Sequence, residues 1–195
     1  MSPPDAARAR PLVDLVLFDR DGTLVHDVPY NGDPDLVRPV RGAAEALDLA
    51  RRHLRVGIVT NQSGVADGRL TADQVRAVNR RVDELLGPFD VVRWCPHDRR
   101  GGCGCRKPEP GMVVAAAHDV GVRPDRVAVV GDILGDVQAA RAAGGIGVLV
   151  PNSRTRAAEL AEADLVATDV AAAIRFLLGP AAASPPGRPR RVLQA

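Results

Sequence analysis

The chain has 195 residues, 46% of them hydrophobic and 26% charged, enough for one folded domain with a substantial core and too apolar for a disordered chain. Its formal charge of +2 is unevenly placed: residues 1–11 carry +1 and residues 181–195 carry +3, which leaves a mildly acidic body at −2, the wrong sign for a nucleic-acid-binding surface. No apolar run reaches the ~18 residues of a membrane span, and no apolar segment follows the N-terminal charges, so the expectation is a cytoplasmic, monomeric protein with neither membrane nor nucleic-acid partner.

Residues 1–11, rich in Pro, Ala and Arg, read as a flexible tail. Beyond them, short β-branched apolar runs at 13–18, 56–60, 91–94, 127–130 and 147–150 have the length and composition of strands buried on both faces. Helical periodicity fits 42–52, 72–86, 110–120, 136–143 and 156–161, with a last helix at 170–178. Thr71 followed by Gln74 is a capping-box signature at the start of the second of these. Strand and helix in alternation predict a doubly wound, Rossmann-like α/β domain over 12–180, its parallel sheet covered by helices on both faces. The longest aperiodic stretches are 20–41 and 95–107, neither large enough to build a separate cap domain. Residues 181–195 read as a flexible basic tail.

The unusual residues sit at the ends of the predicted strands, where open α/β sheets bind ligands. The first strand runs into Asp19-Arg20-Asp21-Gly22-Thr23. Two acids one residue apart can share a metal ion and divide the labour, one attacking phosphorus and the other moving a proton. A plain Asx-turn closing the strand is the alternative. The second strand ends in Thr60-Asn61-Gln62-Ser63-Gly64, whose hydroxyls, amides and N–H groups suit phosphate oxygens as well as an ordinary turn. Of the 26 basic residues 25 are Arg; the one Lys, Lys107, stands in Arg106-Lys107-Pro108 before a helix. A compact ammonium there can face an Asp and a phosphate together. The fourth strand ends in Gly131-Asp132-Ile133-Leu134-Gly135-Asp136, in which Asp132 is a hard oxygen ligand suited to Mg2+. Asp136 either orients Lys107 or a metal-bound water, or caps the next helix.

These four elements in this order, DxDGT, T, K and GDxxxD, resemble the haloacid dehalogenase superfamily of phosphohydrolases over nearly the whole body. The resemblance implies Asp19 as nucleophile and Asp21 as general acid and base, with Thr60 and Lys107 stabilising the phosphoryl group. It implies Mg2+ on Asp19, Asp132 and the main-chain carbonyl of Asp21. The implied partner is a small phosphorylated substrate. Elementary electrostatics agrees, because an anionic carboxylate attacking a dianionic phosphate needs cations at hand.

Cys95-Pro96-His97 and Cys103-Gly104-Cys105 gather every cysteine of the chain beside one histidine, a Cys3His set that would fill a tetrahedral Zn2+ and leave no open position, hence a structural, zinc-stabilised loop. A zinc-braced binding module without turnover is the rival reading. The run CPH…CxCRKPxPGM between the DRDGT and GD motifs resembles the D-glycero-D-manno-heptose 1,7-bisphosphate 7-phosphatase branch and the related histidinol-phosphate phosphatases. That resemblance implies substrate contacts at Asp27, Tyr30, Asn61, Gln62, Ser63 and Arg106, with hydrolysis of the 7-phosphate as the expected reaction and histidinol phosphate or another small phosphate ester as alternatives. His26 and Tyr30 would wall the pocket. Ile133 stands where that branch carries a polar or basic residue, and the His97–Cys103 spacing is shorter than the branch pattern.

Overall fold

The computed structural model describes residues 11–179 and the backbone of residues 191–193. Seven parallel strands form one sheet in the order β3-β2-β1-β4-β5-β6-β7: β1 Leu15–Phe18, β2 Arg55–Asn61, β3 Val91–Cys95, β4 Val127–Gly131, β5 Ile146–Leu149, β6 Leu165–Ala167 and β7 Arg191–Leu193. The helices are α1 Ala43–Arg51, α2 Ala72–Leu86, α3 Gly111–Asp119, α4 Leu134–Ala142, α5 Ala157–Glu162 and α6 Val170–Leu178. The expected doubly wound α/β architecture is what forms, with every predicted helix present and α2 and α6 matching the predicted bounds.

The strands pleat their side chains alternately to the two faces. Val16 and Phe18 of β1 join Val56, Ile58 and Val130 under α1, α2 and α6, whereas Leu15 and Leu17 join Val59, Val127 and Val129 under α3 and α4. Both faces are thus covered, and this explains why the strands are almost continuously apolar instead of alternating. Thr71 does cap α2: its side chain accepts from Gln74 N–H and the Gln74 side chain accepts in return from Thr71 N–H, at 3.1 and 2.8 Å.

Two strands depart from the sequence reading. β6 is only three residues long, too short to show a period. β7 corrects the basic-tail expectation at Arg191–Leu193, which pair in parallel register with β6; an uncovered β6 edge offers a row of unpaired N–H and C=O groups, and a short segment can satisfy them through its main chain whatever its charge. The rest of 181–195, like residues 1–10, lies outside the described residues. The aperiodic stretch 20–41 is also more ordered than its pattern suggests. His26 N–H donates to Arg38 O and Val40 N–H to Leu24 O, both at 2.9 Å, so the chain doubles back as a small flap after β1. Among the described residues it is this flap, and no inserted domain, that overhangs the sheet, and no helix is long and apolar enough to cross a membrane.

Candidate active site

β1 is flanked by β2 on one side and β4 on the other, and from it the connections run in opposite directions. This is the topological switch point at which doubly wound sheets open a crevice. The register sets the ends of these strands level: Phe18 pairs with Ile58 and Val130, and Asp19 N–H donates to Val130 O at 2.9 Å. Asp19, Thr60 and Asp132 therefore emerge side by side. Asp19, Asp132 and Asp136 are all buried, and each offers a carboxylate oxygen within 4.8 Å of the other two. Lys107, also buried, reaches in from the loop before α3, its Nζ 2.5 Å from both Asp19 Oδ1 and Asp136 Oδ1 and 2.7 Å from Val59 O.

Three buried carboxylates against one ammonium leave the cluster two charges short of neutrality. The strain shows in the proton affinities. Burial, reinforced by Asp136, Asp132 and Asp21, holds the Asp19 pKa well above the usual carboxylate value despite Lys107. Burial and then Asp136 push Asp132 up to about 6. Burial disfavours the Lys107 ammonium, but Asp136 and Asp19 outweigh it and raise its pKa. A set of hard oxygen donors lacking two positive charges fits a divalent cation such as Mg2+. Of the two readings of Asp136, the contact with Lys107 is the one that forms; the N-cap of α4 is Ile133, and Asp136 sits two residues inside the helix, where its other oxygen, Oδ2, accepts from Ile133 N–H at 3.2 Å.

Asp21 stands apart from these three acids. Its carboxylate lies outside the acidic cluster, held instead by Arg20, with Nε 3.0 Å from Oδ1 and Nη2 2.8 Å from Oδ2, and by Gln62 Nε2 at 2.9 Å from Oδ2. Three donors thus hold the side chain, and the reading of Asp21 as a metal ligand rests on its main-chain carbonyl. Gly22 turns the chain here at φ +86; a Cβ would lie 2.5 Å from Asp132 Oδ2, so no other residue lets the loop pass so close to the acids.

A cleft of about 450 Å3 opens over the cluster, bordered by Asp19, Asp21, Asp27, Tyr30, Thr60, Asn61, Gln62, Ser63, Lys107 and Asp132. Several expected substrate contacts turn out to be engaged with the protein. Asn61 clamps the backbone of Lys107, accepting from its N–H and donating to its carbonyl, both at 3.1 Å. Gln62 Nε2 spans Asp21 and the Thr60 hydroxyl, the latter at 3.1 Å. Arg106 donates to His97 O at 3.2 Å and borders a neighbouring groove instead of this cleft. Asp27 is ion-paired with Arg154, and the exposed Tyr30 ring lies under the Arg69 guanidinium, 4.4 Å from the ring centroid. His26 does not border the cleft.

Sequence reasoning missed four participants. Arg99 and Arg154 are cations at the cleft rim, and Arg99 and the exposed Ile133 border the neighbouring groove as well. Asn152, three residues past β5, donates from Nδ2 to Asp132 Oδ2 at 2.7 Å and to Gly22 O at 3.1 Å. Its position just beyond a strand's carboxyl end was the available signal. The fourth, buried Arg20, was hidden between the two acids.

Beside the cleft, the loop after β3 brings Cys95, His97, Cys103 and Cys105 together. The Sγ atoms lie 3.2 to 3.6 Å from one another, and His97 Nδ1 lies 3.5 Å from Cys95 and 3.3 Å from Cys105. These are far beyond a disulfide bond and close to the about 3.8 Å edge that bonds of ~2.3 Å give around a tetrahedral ion. Three soft thiolates and an imidazole suit zinc.

The HAD-hydrolase-like family model matches residues 104–175. The D-glycero-beta-D-manno-heptose-1,7-bisphosphate 7-phosphatase of Pseudomonas aeruginosa is 35% identical over 173 residues, covering 84% of this chain and 97% of that protein. The enzyme of the same name from Rhodopseudomonas palustris is 41% identical over 139 residues, 65% of this chain and 77% of its own. Among solved structures, the D,D-heptose 1,7-bisphosphate phosphatase of B. bronchiseptica, complexed with magnesium and phosphate, superposes with a TM-score of 0.73 at 34% identity over 85% of this chain and 98% of that one. The chain belongs to the HAD-like phosphatases, in the family of the D-glycero-beta-D-manno-heptose-1,7-bisphosphate 7-phosphatases.

Proposed function

We propose that the chain is a Mg2+-dependent phosphomonoesterase that hydrolyses the 7-phosphate of D-glycero-D-manno-heptose 1,7-bisphosphate through an aspartyl-phosphate at Asp19. The observation that carries this reading is the pairing of Lys107 with Asp19 at 2.5 Å inside a buried acidic cluster at the switch point. Asp19, Asp132 and the main-chain carbonyl of Asp21 would hold Mg2+, which when bound supplies positive charge to the phosphoryl oxygens. Asp19 attacks phosphorus with the oxygen left free by Lys107. Lys107 and the Thr60 hydroxyl take up charge on the transferring oxygens. Asp21 gives a proton to the departing sugar oxygen and then takes one from the water that opens the aspartyl-phosphate. The rim cations Arg99 and Arg154, with Arg106 in the adjoining groove, suit a second, non-reacting phosphate. Phosphate release should run at least about tenfold higher in kcat/KM with heptose 1,7-bisphosphate than with histidinol phosphate. Equally poor release from both would overturn the substrate assignment; the reverse preference would transfer it to histidinol phosphate.

The cysteine loop is proposed to hold a structural Zn2+ through Cys95, His97, Cys103 and Cys105. The ion would brace the segment that delivers Lys107, since the same loop carries both and Gly111 N–H ties it to Gly104 O at 2.9 Å. Cys105→Ser, checked by metal analysis and thermal melting, is expected to lose the zinc and lower Tm by about 10 °C. An unchanged Tm with no zinc in the parent protein would refute the site.

A further inference from the structure

Arg20 is the largest fully buried side chain among the described residues. A guanidinium is a costly thing to bury, and an apolar residue of similar size would do as well if filling space were its task. Every part of its fork is instead committed. Nε and Nη2 clasp the two oxygens of Asp21, and Nη1 donates to Asn79 Oδ1 at 2.7 Å. Asn79 comes from α2, on a face otherwise made of Val75, Val78, Val82 and Leu86. A buried amide on that apolar face is unfavourable without a partner, and Arg20 is the partner. The Arg20 carbonyl is fixed as well, accepting from Leu24 and Val25 N–H at 3.1 and 3.0 Å.

We propose that Arg20, anchored by Asn79, is a positioning residue that sets the direction of the Asp21 carboxyl group and thereby the proton transfer to the departing oxygen. The inference rests on the acid–base role read for Asp21 above. A carboxylate on a turn can rotate about two side-chain bonds, whereas proton transfer needs a heavy-atom approach of about 2.6–3.2 Å. A rigid bidentate clasp tied back to a helix removes that freedom, and a misplacement of about 1 Å can cost on the order of 100-fold.

The test compares kcat/KM for two monoesters, a sugar phosphate whose alkoxide must be protonated as it leaves and 4-nitrophenyl phosphate whose phenolate leaves unaided. This ratio reports only steps up to cleavage of the ester bond, so hydrolysis of the aspartyl-phosphate does not enter. Arg20→Lys keeps the buried charge and loses the fork. It is expected to lower kcat/KM about 30-fold or more for the sugar phosphate and about threefold or less for the nitrophenyl ester. Asn79→Ala should shift the ratio the same way by less, Asn79→Asp, which keeps an acceptor for Nη1, should restore it, and this pair decides the question if Arg20→Lys does not fold. In an Asp21→Asn background, adding Arg20→Lys should change the ratio no further. Equal loss for both esters, or a selective loss that persists without Asp21, would overturn the inference. If Asp21→Asn itself spared the sugar phosphate, the acid–base reading of Asp21 would fall first.

Discussion

Asp19→Asn is expected to abolish phosphate release, by on the order of 10^4-fold or more, without weakening the fold. The substitution is nearly isosteric, and its amide oxygen still accepts from the Lys107 ammonium. It removes the oxygen nucleophile and one negative charge from a cluster that carries two too many. Because Asp136 and Asp132 both act against ionisation of Asp19, taking that charge away relieves repulsion, and Tm should hold or rise in metal-free protein. Phosphate assays and melting on the same sample check both halves. Retained turnover would dismiss Asp19 as nucleophile, whereas lost turnover with a collapsed Tm would show only that the protein had unfolded.

Lys107→Met should do the opposite to stability. The ammonium is the cation shared by Asp19 and Asp136, both at 2.5 Å, and the Asp136 carboxylate is wholly buried. Removing one member of a buried charge set typically costs about 3–5 kcal/mol, so Tm should fall by on the order of 10 °C in chelator. Activity should fall by at least about 100-fold through the lost stabilisation of charge on the phosphoryl oxygens. The pH dependence follows from the carboxylates. Asp132 has a folded-state pKa raised to about 6, so its stabilisation is complete at low pH and is lost as pH rises through that value, and Asp19, raised in the same direction, adds to the loss. Without Lys107 both shift further up, and the Tm deficit of the variant should be largest above pH 7 and narrow toward pH 5. Adding Asp136→Asn to Lys107→Met should recover part of the stability and none of the activity. A deficit that does not change with pH would contradict this electrostatic account.

What was legible in the chain followed from backbone rules. A buried parallel strand announces itself by β-branched runs, and the acids at its carboxyl end must then face the crevice, which placed Asp19, Asp132 and Thr60 correctly relative to the sheet. The lone lysine was conspicuous among 25 arginines, and the cysteines because all three fall within eleven residues. Side-chain direction was not legible in the same way. Asn61 and Gln62 read as groups for phosphate, yet their partners are Lys107, 46 positions away, and Asp21, 41 positions away, and spacing carries no trace of such pairings. Arg20 was masked by the same abundance of arginine that made Lys107 stand out. β6 and β7 escaped because three residues cannot display a pattern, and their pairing depends on main-chain groups that every residue shares.

The strand order also has a consequence in time. β1 lies between β2 and β4, so the acids of the crevice come from segments more than a hundred residues apart, while the thiol cluster is complete once residue 105 has been made. A nascent chain leaving the ribosome can close its sulfur-rich site first, and its oxygen-rich site only after β4 slots in beside β1.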